Sequence, residues 1–156
     1  METGKRYTTE SSGIPKTMVD TNVLIYAHDV DDPGKHERAT LLIVELQDQN
    51  SIVVSTQVLN EFYHVVTRPK RAAPLSHEEA ANIIRGVADA WEVIPLTPLI
   101  TLRALDAVPR HSLSFWDALV WAAARQHGIG VICSEDFQHD QEIEGVRFVN
   151  PFQVEQ

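Results

Sequence analysis

Residues 17–27 read Thr-Met-Val-Asp-Thr-Asn-Val-Leu-Ile-Tyr-Ala. The first three residues predict a short buried strand and the apolar residues after Asn22 predict a helix, so Asp20 lies at the junction between them. In an open α/β sheet, ligands bind just outside the carboxyl ends of the strands. Asp20 therefore has a position suited to a functional site, although an aspartate there would serve equally well as the N-cap of the helix.

The alternation of apolar strands and helices continues along the whole chain. Candidate strands, rich in β-branched residues, cover 17–19, 52–55, 92–94, 130–133 and 147–149. Helical spacing of apolar residues predicts helices over 22–28, 36–48, 57–67, 76–90, 99–108 and 115–127. Most strands are continuous apolar runs, as expected when both faces are covered. This order predicts an α/β fold with a mostly parallel central sheet.

Length and composition indicate a single folded domain. The chain has 156 residues, 44% hydrophobic and 22% charged, without an internal linker. We expect residues 1–16 to form a polar, flexible extension and residues 17–156 to form the domain. Residues 1–16 lack the apolar core of a signal peptide, and no apolar run approaches the length of a membrane span. Together with the lone Cys133, a structural thiol in an apolar run, this favours a cytoplasmic location.

The charge balance is acidic. Thirteen basic and twenty-two acidic residues give a net charge of −9, which is unexpected for a protein that binds nucleic acid by charge alone. Carboxylates can, however, hold divalent cations that then meet the phosphate groups. The balance therefore weakens a nucleic-acid function without excluding it.

Three further carboxylates could join Asp20. Glu61 shares the apolar side of its helix with Val58 and Val65, where an unpaired carboxylate is costly, unless it reaches water from the edge of that side. Asp117 lies in the first turn of a helix and could simply complement the positive helix end. Asp136 follows the last long apolar strand, where a turn-forming aspartate is equally expected.

Four such groups together would suit a hard divalent cation. Mg²⁺ and Mn²⁺ prefer oxygen ligands, and Mg²⁺ keeps several waters, so a few carboxylates are enough to anchor it. A metal-bound water is more easily deprotonated and can attack phosphorus, while the metal stabilises the charge that develops on the phosphate. The carboxylates therefore favour metal-dependent phosphodiester hydrolysis.

At these positions the sequence resembles a PIN domain, specifically the VapC-type toxins of bacterial and archaeal type II toxin–antitoxin pairs. The resemblance spans residues 18–152 and rests on four motifs in order: Asp-Thr-Asn-Val-Leu at Asp20, Asn-Glu-Phe at Glu61, Phe-Trp-Asp-Ala at Asp117 and Ser-Glu-Asp-Phe at Asp136. It implies a three-layer α/β/α fold and a magnesium- or manganese-dependent endoribonuclease. It also implies that these four residues are catalytic and bind the metal.

The resemblance suggests supporting residues and partners. Asn22 and Ser134 could orient carboxylates or metal waters, although local capping of turns is comparably expected. Basic loop residues could contact RNA phosphates, although solvated charges are equally expected there. The candidate RNA contacts are Arg68, Lys70, Arg71 and Arg110. The family also implies a homodimer and an antitoxin protein whose C-terminal segment lies across the active cleft.

Three other classes compete with this interpretation. A phosphatase could use Asp20 as nucleophile, but Asn22 occupies the place of a second aspartate and no lysine lies near the later motifs. A PIN-like binding module without catalysis is disfavoured because all four acidic positions are filled. A Rossmann dinucleotide domain is disfavoured because no Gly-x-Gly-x-x-Gly follows the first strand. The RNA target stays open, because the loops carry no readable code.

Overall fold

The computed structural model describes residues 13–153, which form one six-stranded sheet with helices on both faces. The strands are β1 (Thr17–Val19), β2 (Ile52–Ser55), β3 (Glu92–Ile94), β4 (Val131–Cys133), β5 (Glu142–Ile143) and β6 (Val146–Val149). The helices are α1 (Thr21–Ala27), α2 (Pro33–Asp48), α3 (Thr56–Val66), α4 (His77–Ala90), α5 (Pro98–His111) and α6 (Phe115–Gln126). The strand order is β3-β2-β1-β4-β6-β5, with only β5 antiparallel to its neighbour. The predicted mostly parallel α/β fold is confirmed.

The three layers follow from the alternation of side chains along each strand. Met18, Val53 and Ile132 point into the core that α5 and α6 cover. Val19 and Val54 point to the opposite face and pack with residues of α1, α2, α3 and α4. Each central strand is therefore apolar on both faces, which explains why these strands read as continuous apolar runs.

Helix α6 is the most deeply buried helix in the described part of the chain. Seven consecutive residues, 118–124, are buried, and most of them are alanines that let the helix lie close to its neighbours. The Trp121 indole N–H donates to the carbonyl of Ile143 at 3.1 Å, so its polar atom is satisfied inside the core. Residues 118–124 are apolar all round the helix, and this part of α6 is covered on every side.

The first strand of the terminal hairpin, β5, was not predicted from the sequence. β5 has two residues, and it is joined to β6 through Glu144 and Gly145, whose φ angles are 46° and 84°. Two positive φ angles in a tight turn are typical of the β-hairpin connections that match strand twist. A two-residue strand is too short for alternation to reveal it, so only the pairing with β6 defines it.

Helix α5 is longer than its predicted range of 99–108. It continues through Pro109 to His111, where Ser112 adopts a left-handed conformation with φ of 54°. The prediction ended the helix before Pro109 because proline lacks the N–H that continues a helix. Near the C-terminal end of a helix, losing a single hydrogen bond does not break it.

The predicted extension of residues 1–16 lies mostly outside the described residues. Residues 13–16 are exposed and carry no helix or strand, and β1 begins at Thr17. The flexible extension and the domain boundary at residue 17 stay predictions. Between residues 13 and 153 no helix is both long and apolar enough to cross a membrane.

Candidate active site at the carboxyl edge of the sheet

The candidate site lies where the chain order reverses across the sheet. β1 pairs with β2 on one side and with β4 on the other, so the connections leaving these strands diverge and open a crevice. Asp20 directly follows β1, and Ser134 directly follows β4. The Asp20 amide donates to the carbonyl of Cys133 at 3.0 Å, which holds the two strand ends together.

Asp20 is the N-cap of α1 and is buried at this edge of the sheet, so the cap is observed and the site role stays a prediction. Its side chain is 4% exposed and accepts hydrogen bonds from the Thr21 amide at 2.8 Å and the Ser134 hydroxyl at 2.7 Å. The pKa of Asp20 is raised to about 6, mainly by burial and to a smaller extent by the charges of Asp136 and Glu61, against the lowering effect of those two hydrogen bonds. Folding therefore holds a carboxylate where its charge is disfavoured.

Glu61 is half-buried on α3 and is held by two donors. Its Oε2 accepts from the Thr21 hydroxyl at 2.6 Å, and its Oε1 accepts from the Gln57 amide nitrogen at 2.9 Å. The same nitrogen donates to the carbonyl of Trp116 at 3.3 Å, which ties α3 to the start of α6. These hydrogen bonds offset the cost of placing the Glu61 carboxylate on the apolar side of α3.

Asp117 lies half-buried in the first turn of α6, next to Trp116. Its amide donates to the hydroxyl of the N-cap Ser114 at 3.1 Å, as the capping interpretation requires. Burial raises the pKa of the Asp117 carboxyl, and the charges of Asp136 and Glu61 raise it as well. Asp117 is therefore both a first-turn acid of its helix and a neighbour of the other carboxylates.

Asp136 lies exposed in the loop after β4. Its Oδ2 accepts from the Asn22 amide nitrogen at 3.2 Å, and its backbone amide donates to the Ser134 hydroxyl oxygen at 3.1 Å. Ser134 also accepts from Asn22 at 3.1 Å while donating to Asp20. Asn22 and Ser134 thus connect two of the carboxylates, as the supporting role predicted for them requires.

No cation balances the four carboxylates within the described chain. The ion pairs among residues 13–153 involve other acidic residues, so none of these four has a basic partner there. Among the same residues, no three His, Cys, Asp or Glu side chains are grouped closely enough to hold a metal ion. Because Mg²⁺ keeps several waters, it needs only a few direct carboxylate ligands. The hard-oxygen donors and their mutual repulsion fit such a cation.

The four candidate RNA contacts do not form one cluster. Arg71 pairs with Asp29 at 2.7 Å, so its charge is largely matched within the fold. Arg110 lies 3.8 Å from a carboxylate of the β5–β6 turn, at the edge of the sheet opposite the candidate site. Arg68 and Lys70 are exposed on the loop after α3. RNA contact by these residues stays a prediction.

Two site residues were missed by the sequence analysis. Thr21 and Gln57 supply the donors to Glu61, and both are buried. A signal was available in each case, since Thr21 is adjacent to Asp20 and Gln57 precedes Glu61 by one helical turn. Neither signal distinguishes a site residue from an ordinary polar residue without the packing of α1 against α3.

Comparison with known proteins supplies the family. The family model described as PIN domain matches residues 17–141, which is most of the chain and includes all four carboxylates. The chain belongs to the PIN domain family. This confirms the resemblance stated from the motifs, and divalent-metal dependence is general among PIN-domain nucleases of the VapC type.

The relatives of this PIN domain are ribonucleases. A VapC ribonuclease of Mycobacterium bovis is 32% identical over 120 residues, which cover 76% of this chain and 88% of the relative. Ribonuclease VapC24 of Mycobacterium tuberculosis is 29% identical over 116 residues, covering 71% of this chain and 79% of the relative.

Solved structures share the fold. A toxin–antitoxin complex from Klebsiella pneumoniae matches with a TM-score of 0.65 and 16% identity, covering 89% of this chain and 100% of that chain. VapC20 of Mycobacterium tuberculosis, described as a toxin that cleaves the sarcin–ricin loop, matches with a TM-score of 0.59 and 21% identity. That match covers 75% of this chain and 87% of VapC20. The three-layer α/β/α arrangement of the PIN domain is thereby confirmed.

Proposed function

We propose that this protein is a metal-dependent endoribonuclease of the VapC type, the toxin of a type II toxin–antitoxin pair. The observation that carries the proposal is that Glu61 and Asp136 lie near enough to both Asp20 and Asp117 for their charges to raise the pKa of each. These four carboxylates come from four separate segments at one edge of the sheet, and none has a basic partner among residues 13–153. The kinship to VapC ribonucleases supports the same activity.

In this proposal Asp20, Glu61, Asp117 and Asp136 hold Mg²⁺ or Mn²⁺. The bound cation would make a water ligand easier to deprotonate and would stabilise negative charge on the phosphodiester. The pKa of Asp20, raised by burial to about 6, supports a nearby cation, because positive charge favours the ionised carboxylate that burial disfavours.

The surrounding side chains orient these carboxylates. Ser134 and Thr21 donate to Asp20 and Glu61 respectively, and they lie on different segments, so each carboxylate is fixed relative to β1. Asn22 donates to Asp136 and accepts from the Glu135 amide at 3.3 Å, which fixes the loop after β4. Ligands oriented in this way lose less freedom when a cation binds.

Partners complete the proposal. The structural neighbours include toxin–antitoxin complexes, and some of these were solved on DNA. We propose that this chain binds an antitoxin protein and forms a homodimer. We also propose that it acts in the cytoplasm. Co-expression with the protein encoded beside it, followed by light scattering of the isolated complex, would test the partner and the assembly.

The central experiment is cleavage of total RNA by purified protein freed of any partner. Reactions would contain Mg²⁺, Mn²⁺ or EDTA, with wild type, Asp20→Asn and Asp117→Asn. Asp48→Asn is the matched control, because it removes an exposed carboxylate at the end of α2. We expect metal-dependent cleavage by wild type and the control, and loss of cleavage in both site variants.

Two outcomes would overturn the proposal. Cleavage that survives in the folded Asp20→Asn and Asp117→Asn variants would place the reaction elsewhere. Trapping of a phosphoaspartate at Asp20 would replace hydrolysis by water with the phosphatase chemistry. The structure offers that chemistry little support, because both Asp20 oxygens accept hydrogen bonds and the side chain is buried.

A further inference from the structure

A cavity of about 430 Å³ opens beside the candidate catalytic carboxylates. Its volume lies within the range of small-ligand sites, about 300–1,000 Å³. The residues that line it belong to α3, to the segment after β3 and to the start of α6. They are Gln57, Asn60, Glu61, His64, Leu96 and Trp116. The cavity therefore shares Glu61 with the proposed metal site and ends at the residue before Asp117.

Trp116 presents a large aromatic surface in this cavity. It is 61% exposed, whereas the other two tryptophans of the chain, Trp91 and Trp121, are 8% and 4% exposed. Leu96 adds a second apolar side chain to the lining. An exposed indole in a cleft beside a catalytic site offers a face on which a flat ring can stack.

Gln57 lines the same cavity and ties α3 to the start of α6 through its amide nitrogen. Its side-chain nitrogen donates to both Glu61 and the carbonyl of Trp116, so two acceptors fix the orientation of the amide. Its Oε1 is buried and has no hydrogen-bond partner among residues 13–153, and the residue is 5% exposed. A buried acceptor without a donor is unfavourable, but this oxygen has almost no accessible surface, so the ligand contacts of the cavity come from its other lining residues.

The charge of the molecule decides which kind of ligand fits. No lysine or arginine lines the cavity, whereas Glu61 does, and the chain carries a net charge of −9, so the cavity disfavours a bare phosphate or another anion. An acidic ribonuclease needs substrate contacts that do not depend on charge. Stacking of nucleobases on aromatic side chains is such a contact, because every base has a π-face.

We propose that this cavity binds the nucleobase of a nucleotide flanking the cleaved bond. The base stacks on Trp116, while Asn60 and His64 contribute polar atoms from the cavity lining. This inference rests on the proposed ribonuclease function and adds a base subsite to it. The subsite places the backbone of that nucleotide beside Glu61 and Asp117.

Tryptophan fluorescence tests base binding without cleavage. Because Trp91 and Trp121 are buried, quenching by RNA reports mainly on Trp116. The titration would use Asp20→Asn protein with Mg²⁺ and a synthetic single-stranded RNA spanning a mapped cleavage site. The comparison RNA carries abasic residues on both sides of that site. We expect quenching by the intact RNA and little by the abasic RNA, whereas equal quenching by both would overturn the subsite.

Cleavage kinetics provide an independent readout. Trp116→Ala should lower kcat/KM about 5- to 150-fold, the range that stacking of one base contributes, mainly through KM. Trp116→Phe should keep most of the activity, because it retains an aromatic face. Leu102→Ala is the matched control, since it truncates a 60% exposed apolar residue on α5, outside the cavity. On the abasic RNA, Trp116→Ala should cause no further loss.

The outcomes separate the subsite from the ribonuclease function. If wild type cleaves RNA and Trp116→Ala matches it, the subsite is wrong and the function stands. If Trp116→Ala dissociates a dimer in light scattering while Leu102→Ala does not, Trp116 contacts a second copy of the chain and the subsite is wrong. If wild type cleaves no RNA, the proposed function fails. The fluorescence titration, run in that case with a mixed-sequence single-stranded RNA and a fully abasic strand of the same length, then decides whether the cavity binds a base.

Discussion

Replacing Asp20 by asparagine should stabilise the metal-free protein at neutral pH while abolishing cleavage. In the folded state, burial and two neighbouring carboxylates raise the pKa of Asp20 from its ordinary value of 3.8 to about 6. The folded protein therefore binds this proton more tightly than the unfolded chain does. The stabilisation that results is complete below about pH 4 and is lost as the pH rises through about 6.

The magnitude follows from the two pKa values. A tenfold difference in proton affinity corresponds to about 1.4 kcal/mol, so ionised Asp20 lowers the stability of the metal-free fold by roughly 3 kcal/mol at neutral pH. Asparagine removes that penalty and can still accept from Thr21, but the Ser134 hydroxyl loses its charged acceptor, which costs about 1 kcal/mol. We expect a net gain of about 1–2 kcal/mol, or about 2–8 °C in Tm.

The assay is thermal unfolding of wild type, Asp20→Asn and the control Asp48→Asn in EDTA, at about pH 4.5 and about pH 7.5. The advantage of Asp20→Asn should be present at the higher pH and should largely disappear at the lower one. Added Mg²⁺ should stabilise wild type more than the variant, because a cation that binds only the folded site shifts the unfolding equilibrium.

Two results would refute this reasoning. If Asp20→Asn were less stable than wild type in EDTA at the higher pH, the surroundings of Asp20 would not destabilise its ionised carboxylate. If the difference between the two proteins were the same at both pH values, the titration of Asp20 would not be its cause. Equal shifts in the control variant would point to a general effect of net charge.

Three further predictions concern single side chains. Thr21→Val removes the hydroxyl that donates to Glu61, so Mg²⁺ titration of RNA cleavage should show an apparent affinity at least about 10-fold weaker; an unchanged affinity would speak against this orienting role. Ser76→Ala removes the N-cap of α4, and urea unfolding should show a loss of about 1 kcal/mol, whereas no loss would mean that the cap is dispensable. Phe148→Ala empties a fully buried position and should lower the free energy of unfolding by about 3–5 kcal/mol in the same assay; a loss below about 1 kcal/mol would indicate that the core collapses into the space.

Local pattern was sufficient for most of the secondary structure. Strands such as β1 and β2 are apolar on both faces, and α4 begins at a capping box formed by Ser76 and Glu79, so neighbours in the chain already favour these elements. The two-residue β5 could not be predicted from local pattern, because only its pairing with β6 distinguishes it from a loop. The continuation of α5 through Pro109 likewise could not be predicted from local helix preference.

The residue types of the candidate site, and its position at the carboxyl edge of the sheet, could be predicted from the sequence. Asp20 and Asp136 follow strands whose carboxyl ends meet at one edge of a parallel sheet, so their association follows from fold class alone. The motifs that resemble PIN domains added Glu61 and Asp117. For Asp117 the sequence could not separate a helix-capping role from a site role, because both place an acid in the first turn.

The amino-acid sequence by itself determined the layered fold, the order of its elements apart from β5, and the four acids of the candidate site. Only the tertiary structure decided which side chains serve those acids: Thr21 reaches Glu61 from forty residues away, and Gln57 joins Glu61 to Trp116. It also exposed Trp116 and paired Arg71 with Asp29. The physical reason is that capping, periodicity and strand propensity act between chain neighbours, whereas these contacts depend on how α1, α3 and α6 pack across the sheet.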